Sequence, residues 1–366
     1  MSLGATIAAQ RQSLGLDLGA VASLSGLGEA RVRAIEAGQA LTRFELEALA
    51  SALAIEPEAL RTGELADPRF AAVRFRAPLG VTGMSPLDVR ALARAAEAGR
   101  VHHFLRSLRN APPSQVWALR SVMAVQPSLE PWKQGYALGQ HARERLAPRH
   151  EPLSSVQELL ERLGVLVVSV SLESPSIEAA SLVERDASPV IVLNRSCSRF
   201  SHRLARRAVL AHELCHLLHD GGERDLLTVV SRDDDGSDVE KRAKGFAPSF
   251  LAPGAWIARP RPGASALEEV TSLGQAWGLS FEGACWHAKN LRRIPAKTAG
   301  AMATSAGQSI DPGDFEPELA REDPRSIGLD LAVSELGESA LGDLAVSGAR
   351  DELISVRRAA EILSFR

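Results

Sequence analysis

The strongest constraint on the fold is a long amphipathic segment that carries four histidines. The stretch SRFSHRLARRAVLAHELCHLLHDGG (198–222) has apolar residues at helical spacing and closes with two glycines that stop a helix. It contains the spacing H-E-x-x-H, with His212 and His216 four residues apart. On a helix this spacing places both imidazoles on one face, where they are able to share a cation. A catalytic zinc ion needs three protein ligands, so another part of the chain has to supply the third.

The rest of the chain predicts a mainly α protein with a small β-sheet. Residues 4–62 repeat apolar side chains at helical spacing between glycines, and further helical pieces follow up to residue 132. The runs VLVVSVSL (165–172) and PVIVLN (189–194) are rich in β-branched residues and bounded by turn residues, which is typical of strands. Aromatic residues make up only 4% of the chain, so its cores have to be built from Leu, Val and Ala.

Charge is distributed unevenly, although the net charge of the whole chain is only −3. Residues 1–65 contain five basic and eight acidic side chains, a poor electrostatic match to nucleic acid. Residues 66–150 contain thirteen basic and five acidic side chains, whereas residues 311–343 contain two basic and ten acidic ones. The basic segment is therefore a candidate for contact with nucleic acid. The acidic segment is a candidate to fold back on the basic one.

Several features favour a reducing, cytoplasmic location. The three cysteines stand at unrelated spacings, which gives neither a disulfide framework nor a zinc knuckle. The N-terminal stretch lacks the basic start and apolar core of a secretion signal. No apolar run approaches the roughly 20 residues that span a bilayer, so we expect no contact with a membrane.

Glu240, in the helical stretch SDVEKRAKGFAPSFLAP (237–253), is the best candidate for the third ligand. The alternative is a capping box between Ser237 and Glu240, which would explain the glutamate without a metal. His219 is rotated away from the face that the other two histidines share, so we expect it to act at the helix end. Glu213 lies beside that face, where it is able to take a proton from a water on the metal.

Other side chains near the motif are expected to have ordinary roles. Cys215 points obliquely away from the two histidines, so we expect it to pack in the core as a small hydrophobic residue. Three arginines before the motif are expected to form a solvated face: Arg203, Arg206 and Arg207. Three side chains are available to stabilise an oxyanion, and the sequence does not select among them: Tyr136, His202 and His287.

The motif and the stretch around Glu240 together resemble the ImmA/IrrE-like metallopeptidases. The resemblance lies in His212-Glu213-x-x-His216 and in the pattern that runs from Glu240 through Ala243 and Phe246 to Pro253. It implies that His212, His216 and Glu240 hold the metal, zinc with manganese as an alternative, and that Glu213 is catalytic. The chain departs from the family in Cys215, in Lys244, and in Pro248, which is expected to kink or end the helix.

The N-terminal segment LGLDLGAVASLSGLGEARVRAIEAG (14–38) resembles the helix-turn-helix of the XRE, phage repressor-like family. In that fold the second helix of the motif lies in the major groove of DNA. The resemblance makes Arg31 and Arg33 candidate DNA contacts. Glu29 at the tip of this helix is unfavourable near phosphates, so the alternative is a domain that docks onto another helix-turn-helix protein.

The two resemblances predict an N-terminal all-α helix-turn-helix domain followed by an α+β zincin-like metallopeptidase domain. The expected boundaries are 1–65 for the first domain, 66–132 for a basic helical linker and 133–297 for the metallopeptidase domain. Residues 298–366 form an acidic, partly flexible C-terminal region whose role the sequence does not indicate.

The predicted function is that of a regulatory metalloendopeptidase that cuts one partner protein. The family resemblance implies an XRE-type repressor as the partner, in a response to stress, DNA damage or mobile-element induction. The alternative is a DNA-binding transcriptional regulator whose metallopeptidase-like domain senses a ligand or metal without proteolysis. The sequence leaves the oligomeric state open.

Overall fold

A computed structural model describes residues 2–63, 84–120, 128–184, 186–220, 226–231, 237–305, 307–320 and 340–363. These residues form a mostly helical protein with one small sheet, which confirms the predicted fold class. An all-α N-terminal part precedes an α+β part. None of the described helices is long and apolar enough to cross a membrane. The predicted domain boundaries remain predictions.

The N-terminal part consists of five short helices around a core of aliphatic side chains. They are α1 (Leu3–Ser13), α2 (Leu18–Ser25), α3 (Glu29–Glu36), α4 (Arg43–Ala52) and α5 (Pro57–Thr62). Asp17 caps α2 and Thr42 forms a capping box with Glu45 at α4, so local polar residues set where these helices begin. Gly26 ends α2 with a φ of 71°, a conformation that glycine adopts without strain, and the chain then turns into α3.

The α+β part begins with a long helix and contains a four-stranded sheet. The helices before the sheet are α6 (Pro86–Leu108), α7 (Gln115–Arg120), α8 (Pro131–Leu146) and α9 (Val156–Arg162). The strands are β1 (Leu166–Val170), β2 (Ile177–Val183), β3 (Val190–Asn194) and β4 (Leu226–Ser231). Their order is β1-β3-β2-β4, with β1 parallel to β3 and the other neighbours antiparallel. The motif-bearing helix α10 (Arg203–His219) connects β3 to β4.

The remaining described helices follow β4. They are α11 (Asp238–Leu251), α12 (Ala266–Trp277), α13 (Phe281–Asn290), α14 (Ala296–Ala303), a 3-10 turn at Pro317–Ala320, α15 (Ala340–Arg350) and α16 (Val356–Leu363). Pro248 was expected to kink or end its helix, but α11 continues past it to Leu251. Ser249, the next residue, ties this turn to α8 by donating to the carbonyl of Tyr136 at 2.8 Å.

The two faces of the sheet belong to two different cores. Ile191 and Leu193 pack with α10 and α11 in the larger core, whereas Val190 and Val192 pack with α6 and the N-terminal helices. This alternation follows from the two-residue period of a strand. Gly99 lets α6 lie directly on the sheet, because a Cβ there would come within 2.6 Å of the Val190 side chain. One continuous core therefore joins the N-terminal helices to the sheet.

The helices α8 and α11 are packed unusually close together through glycines. A Cβ on Gly135 would lie 2.0 Å from the carbonyl oxygen of Arg242, and one on Gly139 would lie 2.5 Å from that of Phe246. Gly245 makes the reciprocal approach to the backbone of Trp132. Backbone at such distances leaves no room for a side chain. Because Glu240 lies on α11, this contact determines where its carboxylate stands.

Residues 307–320 lie across the α+β part and insert a carboxylate into it. Glu316 and Arg207 are both fully buried and form an ion pair of 2.6 Å. The same carboxylate accepts a hydrogen bond from the backbone N–H of Val156 at 2.7 Å. Phe315 lies beneath the Arg207 guanidinium, at 4.8 Å from the ring centre. A buried ion pair with this many partners joins the C-terminal segment firmly to α10.

The expectation of a solvated arginine face on α10 was wrong. Arg207 is fully buried, and Arg206 is buried against the ring of Phe200 at 4.5 Å. Arg203 donates to the carbonyl oxygens of Gly313 and Phe315. The partners of Arg203 and Arg207 come from distant parts of the chain, so the local sequence does not indicate them.

The acidic segment meets two parts of the protein. Residues 311–320 dock on α9 and α10 rather than on the basic segment. The helix α15, which begins within the acidic segment, packs against α6 of the basic segment. Just beyond the acidic segment, Asp351 forms an ion pair of 2.8 Å with Arg109. Residues 321–339, which carry much of the negative charge, lie outside the described residues.

Replacing Gly135 with alanine is expected to lower the melting temperature of the protein. Overpacking costs about 1–3 kcal/mol, which exceeds the gain of about 1 kcal/mol that alanine brings to a helix interior. Differential scanning calorimetry measures the change. The matched control is Gly300→Ala on α14, where the new Cβ meets nothing closer than 3.8 Å. That variant is expected to melt at the same or a higher temperature, and equal effects at both sites would contradict the close packing.

Replacing Glu316 with glutamine is expected to destabilise the α+β part by about 3–5 kcal/mol, because it leaves a buried Arg207 without its counter-charge. Urea denaturation followed by tryptophan fluorescence measures the loss. Glu144→Gln, on an exposed turn of α8, is the control and is expected to change stability by less than about 0.5 kcal/mol. A Glu316→Gln variant as stable as that control would contradict the role of the pair.

Candidate active site

The helix α10 brings His212 and His216 together as the spacing predicts. Their Nε2 atoms lie 3.0 Å apart, and their rings meet edge to face. His216 is fully buried and His212 is 7% exposed. The apolar residues of the same helix, Leu210, Leu214 and Leu217, are fully buried in the larger core. Core packing on both sides thus holds the two imidazoles in a narrow space.

The helix α11 adds Glu240 to this pair. Its Oε2 lies 3.1 Å from His212 Nε2, and its Oε1 lies 3.3 Å from His216 Nε2. The Ser237 hydroxyl caps the helix by accepting from the N–H of Glu240 at 3.2 Å. Only this half of the capping box is formed, because the Glu240 carboxylate turns inward to the histidines. Capping and the inward carboxylate therefore coexist at this helix end.

The three groups form the only cluster of at least three potential metal ligands found in the described parts of the chain. Two imidazoles and one carboxylate are the donor types that zinc binds at catalytic sites. Ligands of a tetrahedral zinc ion lie about 3.3–3.5 Å from one another, given bond lengths of about 2.0–2.2 Å. The two Nε2 atoms lie 3.0 Å apart, and each lies close to this spacing from a different oxygen of Glu240, at 3.1 and 3.3 Å. With one ligand atom taken from each residue, the three atoms lie within 4.8 Å of one another. The residues present fit a zinc ion.

Glu213 lies next to the cluster and is fully buried. Ser181 donates a hydrogen bond to its Oε2, whereas its Oε1 has no hydrogen-bond partner among the described residues. A buried carboxylate oxygen without a partner is costly, so this atom points to a water or a ligand group. Burial raises the pKa of Glu213 to about 7, against the opposing charge of His216 and the bond from Ser181. Such a carboxyl is suited to exchange protons near neutral pH.

The pKa values of the cluster reflect burial and mutual pairing. Burial lowers the pKa of His212. Burial acts the same way on His216, but hydrogen bonds to Asp220 and Glu240 outweigh it and raise its pKa to about 10. Burial acts to raise the pKa of Glu240, but the bonds from both histidines prevail and lower it. Glu240 is therefore ionised, as a metal ligand has to be.

Two supporting residues were not identified from the sequence. Asp220 Oδ2 lies 2.7 Å from His216 Nδ1, and Ser181 reaches Glu213 from β2. Asp220 follows His216 by four residues, and the helical i, i+4 rule would have placed it beside that ring. Ser181 has no such signal, because β2 has too weak a β-branched pattern to be recognised as a strand.

The remaining predicted site residues occupy other positions. His219 packs edge to face on Phe246, outside the cluster. Cys215 is fully buried in the larger core, as expected, and burial raises its thiol pKa. Tyr136 and His287 face each other with a hydrogen bond of 2.9 Å, and His287 also contacts the carbonyl of Ala252. That carbonyl and Asn290, which donates to the Tyr136 hydroxyl, hold the tyrosine and histidine in a network of their own.

The two candidate DNA contacts on α3 both pair with carboxylates. Arg31 forms two hydrogen bonds with Glu45, at 2.6 and 3.0 Å. Arg33 pairs with Glu29 at 2.6 Å and is mostly exposed. Each carboxylate offsets the positive charge of its guanidinium, which weakens the attraction of both arginines for a phosphate. Their role in DNA binding remains a prediction.

Comparison with known proteins agrees with the geometry. Residues 160–287, about a third of the chain, match the Peptidase_M78 family, described as the IrrE N-terminal-like domain. No curated protein and no solved structure matches the chain. The matched stretch contains all of β1 to β4, α10 and α11. The cluster of His212, His216 and Glu240 thus lies in an ImmA/IrrE-like metallopeptidase domain.

Proposed function

We propose that this protein is a metal-dependent endopeptidase that uses His212, His216 and Glu240 to hold zinc and Glu213 as its general base. The observation that carries the proposal is the convergence of two imidazoles and a carboxylate, with the nearest atoms of each pair within 3.3 Å, beside a second buried carboxylate. Manganese is the alternative ion, because the donor set does not discriminate between the two. A divalent cation bound there would supply a Lewis acid that polarises a peptide carbonyl and acidifies water.

The protein's own groups have separable tasks in this proposal. The two histidines and Glu240 bind and orient the ion. Glu213 accepts a proton at its free Oε1 and passes it to the leaving amine, while Ser181 holds the other oxygen in place. Apolar residues around α10 exclude bulk water, which strengthens the electrostatic interactions in the site.

The substrate in this proposal is one partner protein, in particular an XRE-type repressor in a stress, DNA-damage or mobile-element response. Glu213 and His216 are fully buried, whereas His212 and Glu240 each keep a small exposed fraction, below 10%, by which a substrate would reach the cluster. The family resemblance and the all-α N-terminal part support the choice of partner.

A DNA-binding regulator without proteolysis is the second candidate. The continuous core between the N-terminal helices and one face of the sheet favours it, because the sheet would connect a DNA-bound N-terminal part to the cluster of His212, His216 and Glu240 on its other face. Two features oppose it. A structural metal site needs no base such as Glu213, and both candidate DNA contacts are already paired with carboxylates.

We expect the purified protein to bind one zinc ion, measured by competition with a chromophoric chelator. His212→Ala, His216→Ala and Glu240→Ala are each expected to weaken binding by more than the roughly 10- to 100-fold that loss of a supporting residue causes. Glu213→Gln is expected to retain zinc, because Glu213 is not a ligand. Equal zinc binding by wild type and all three ligand variants would place the metal elsewhere.

We expect cleavage when the protein is co-expressed with helix-turn-helix proteins encoded beside it. Glu213→Gln should reduce the rate by about 10²- to 10⁴-fold, because a general base contributes about that much. Glu158→Gln, on an exposed turn of α9, is the matched control and should cleave like the wild type. If the wild type and Glu213→Gln both leave every partner intact and both bind DNA, the DNA-binding regulator is supported instead.

A further inference from the structure

Asp220 lies beside the cluster of His212, His216 and Glu240, where α7, α10 and α11 meet. It is the residue that directly follows α10, and it is only 5% exposed. One carboxylate oxygen lies 2.7 Å from His216 Nδ1, and the other accepts a hydrogen bond from Arg242 on α11. Its backbone carbonyl accepts a further bond from Arg120 at the end of α7. A single residue thus contacts a metal-binding histidine and two arginines from other helices.

The contact with His216 determines which ring nitrogen faces the cluster. A histidine that donates from Nδ1 to a carboxylate keeps its lone pair on Nε2 when the ring is neutral. His216 Nε2 is the atom that lies 3.0 Å from His212 and 3.3 Å from Glu240. The carboxylate of Asp220 therefore presents the correct atom of His216 for a cation.

The contact with Arg242 reaches the third candidate ligand. Arg242 lies two residues after Glu240 on α11, and its ion pair with Asp220 crosses from the end of α10 to that helix. The arginine backbone is itself fixed, because Gly135 of α8 packs directly on its carbonyl. Asp220 is thus bonded both to a histidine of the cluster and to the helix that carries the glutamate.

We propose that Asp220 is a positioning residue for the metal site, which fixes the proton of His216 on Nδ1 and, through Arg242, holds the Glu240 helix at ligand distance. This inference rests on the proposed metal-binding function. Neither Asp220 nor Arg242 belongs to the cluster of three candidate ligands. Both act through the ligands that they hold.

The first test is the zinc affinity of Asp220→Asn and Arg242→Gln in the full chain, by competition with a chromophoric chelator. Each is expected to weaken binding by about 10- to 100-fold, as outer residues of metal sites do. Asp238→Asn, at an exposed position on the first turn of α11, is the control and should bind like the wild type. Melting curves establish that the variants are folded.

The second test distinguishes positioning from a general structural role. In zinc-loaded, ¹⁵N-histidine-labelled protein, the Nδ1–H of His216 is expected to give a slowly exchanging NMR signal, identified by its loss in His216→Ala. Asp220→Asn should lose or shift this signal. Arg242→Gln should retain it, because the histidine–carboxylate bond remains while only the helix tether is lost.

The outcomes separate this inference from the proposed function. Failure of the wild type to bind zinc, or unaltered binding by His216→Ala, would overturn the metal site itself. Wild-type zinc affinity in a folded Asp220→Asn variant, or an unchanged His216 Nδ1–H signal in it, would overturn the positioning role alone. Weakened binding with loss of the signal supports it.

Discussion

The α+β part depends on the joint burial of four ionisable side chains between α10, α11 and β2. Each of His212, Glu213, His216 and Glu240 would be costly to bury alone, because removing a charge from water is repaid only by close partners. They occur together, and at least one hydrogen bond or ion pair within 3.3 Å supports each of them. The close approach of α8 to α11 holds the helix of Glu240 in place. A change in that packing would therefore also affect the chemistry of the site.

Much of the site could be predicted from the sequence, because its key spacings are local. His212 and His216 lie on one helical turn, and Glu240 is marked by its position at a helix start and by the family resemblance. The strands β1 and β3 were recognisable from their β-branched runs. In contrast, β2 contains two alanines and a serine, so its composition gave no strand signal, and Ser181 was missed with it. The ligand roles of these three residues remain predictions.

Long-range contacts were the least predictable part of the structure. The arginines of α10 look like a solvated face because a helix with several cations usually meets water. Arg203 and Arg207 have partners more than a hundred residues away, among them Glu316, and no local sequence pattern indicates such a pairing. The effect of Pro248 also depends on a long-range contact. Proline favours the end of a helix, but α11 continues to Leu251, where Ser249 donates a hydrogen bond to the carbonyl of Tyr136.

The shared use of the sheet by two cores has a practical consequence for anyone who isolates the stretch that matches the Peptidase_M78 family. A fragment limited to the matched stretch, 160–287, would lack α6 and the N-terminal helices that cover one face of the sheet. Leu182, Val190 and Val192 would then form an exposed hydrophobic patch on the sheet. The sheet also has two edge strands, β1 and β4. Surfaces of this kind associate with one another and with other proteins. A short fragment would consequently tend to self-associate, and its behaviour in binding assays would describe the fragment rather than the full chain.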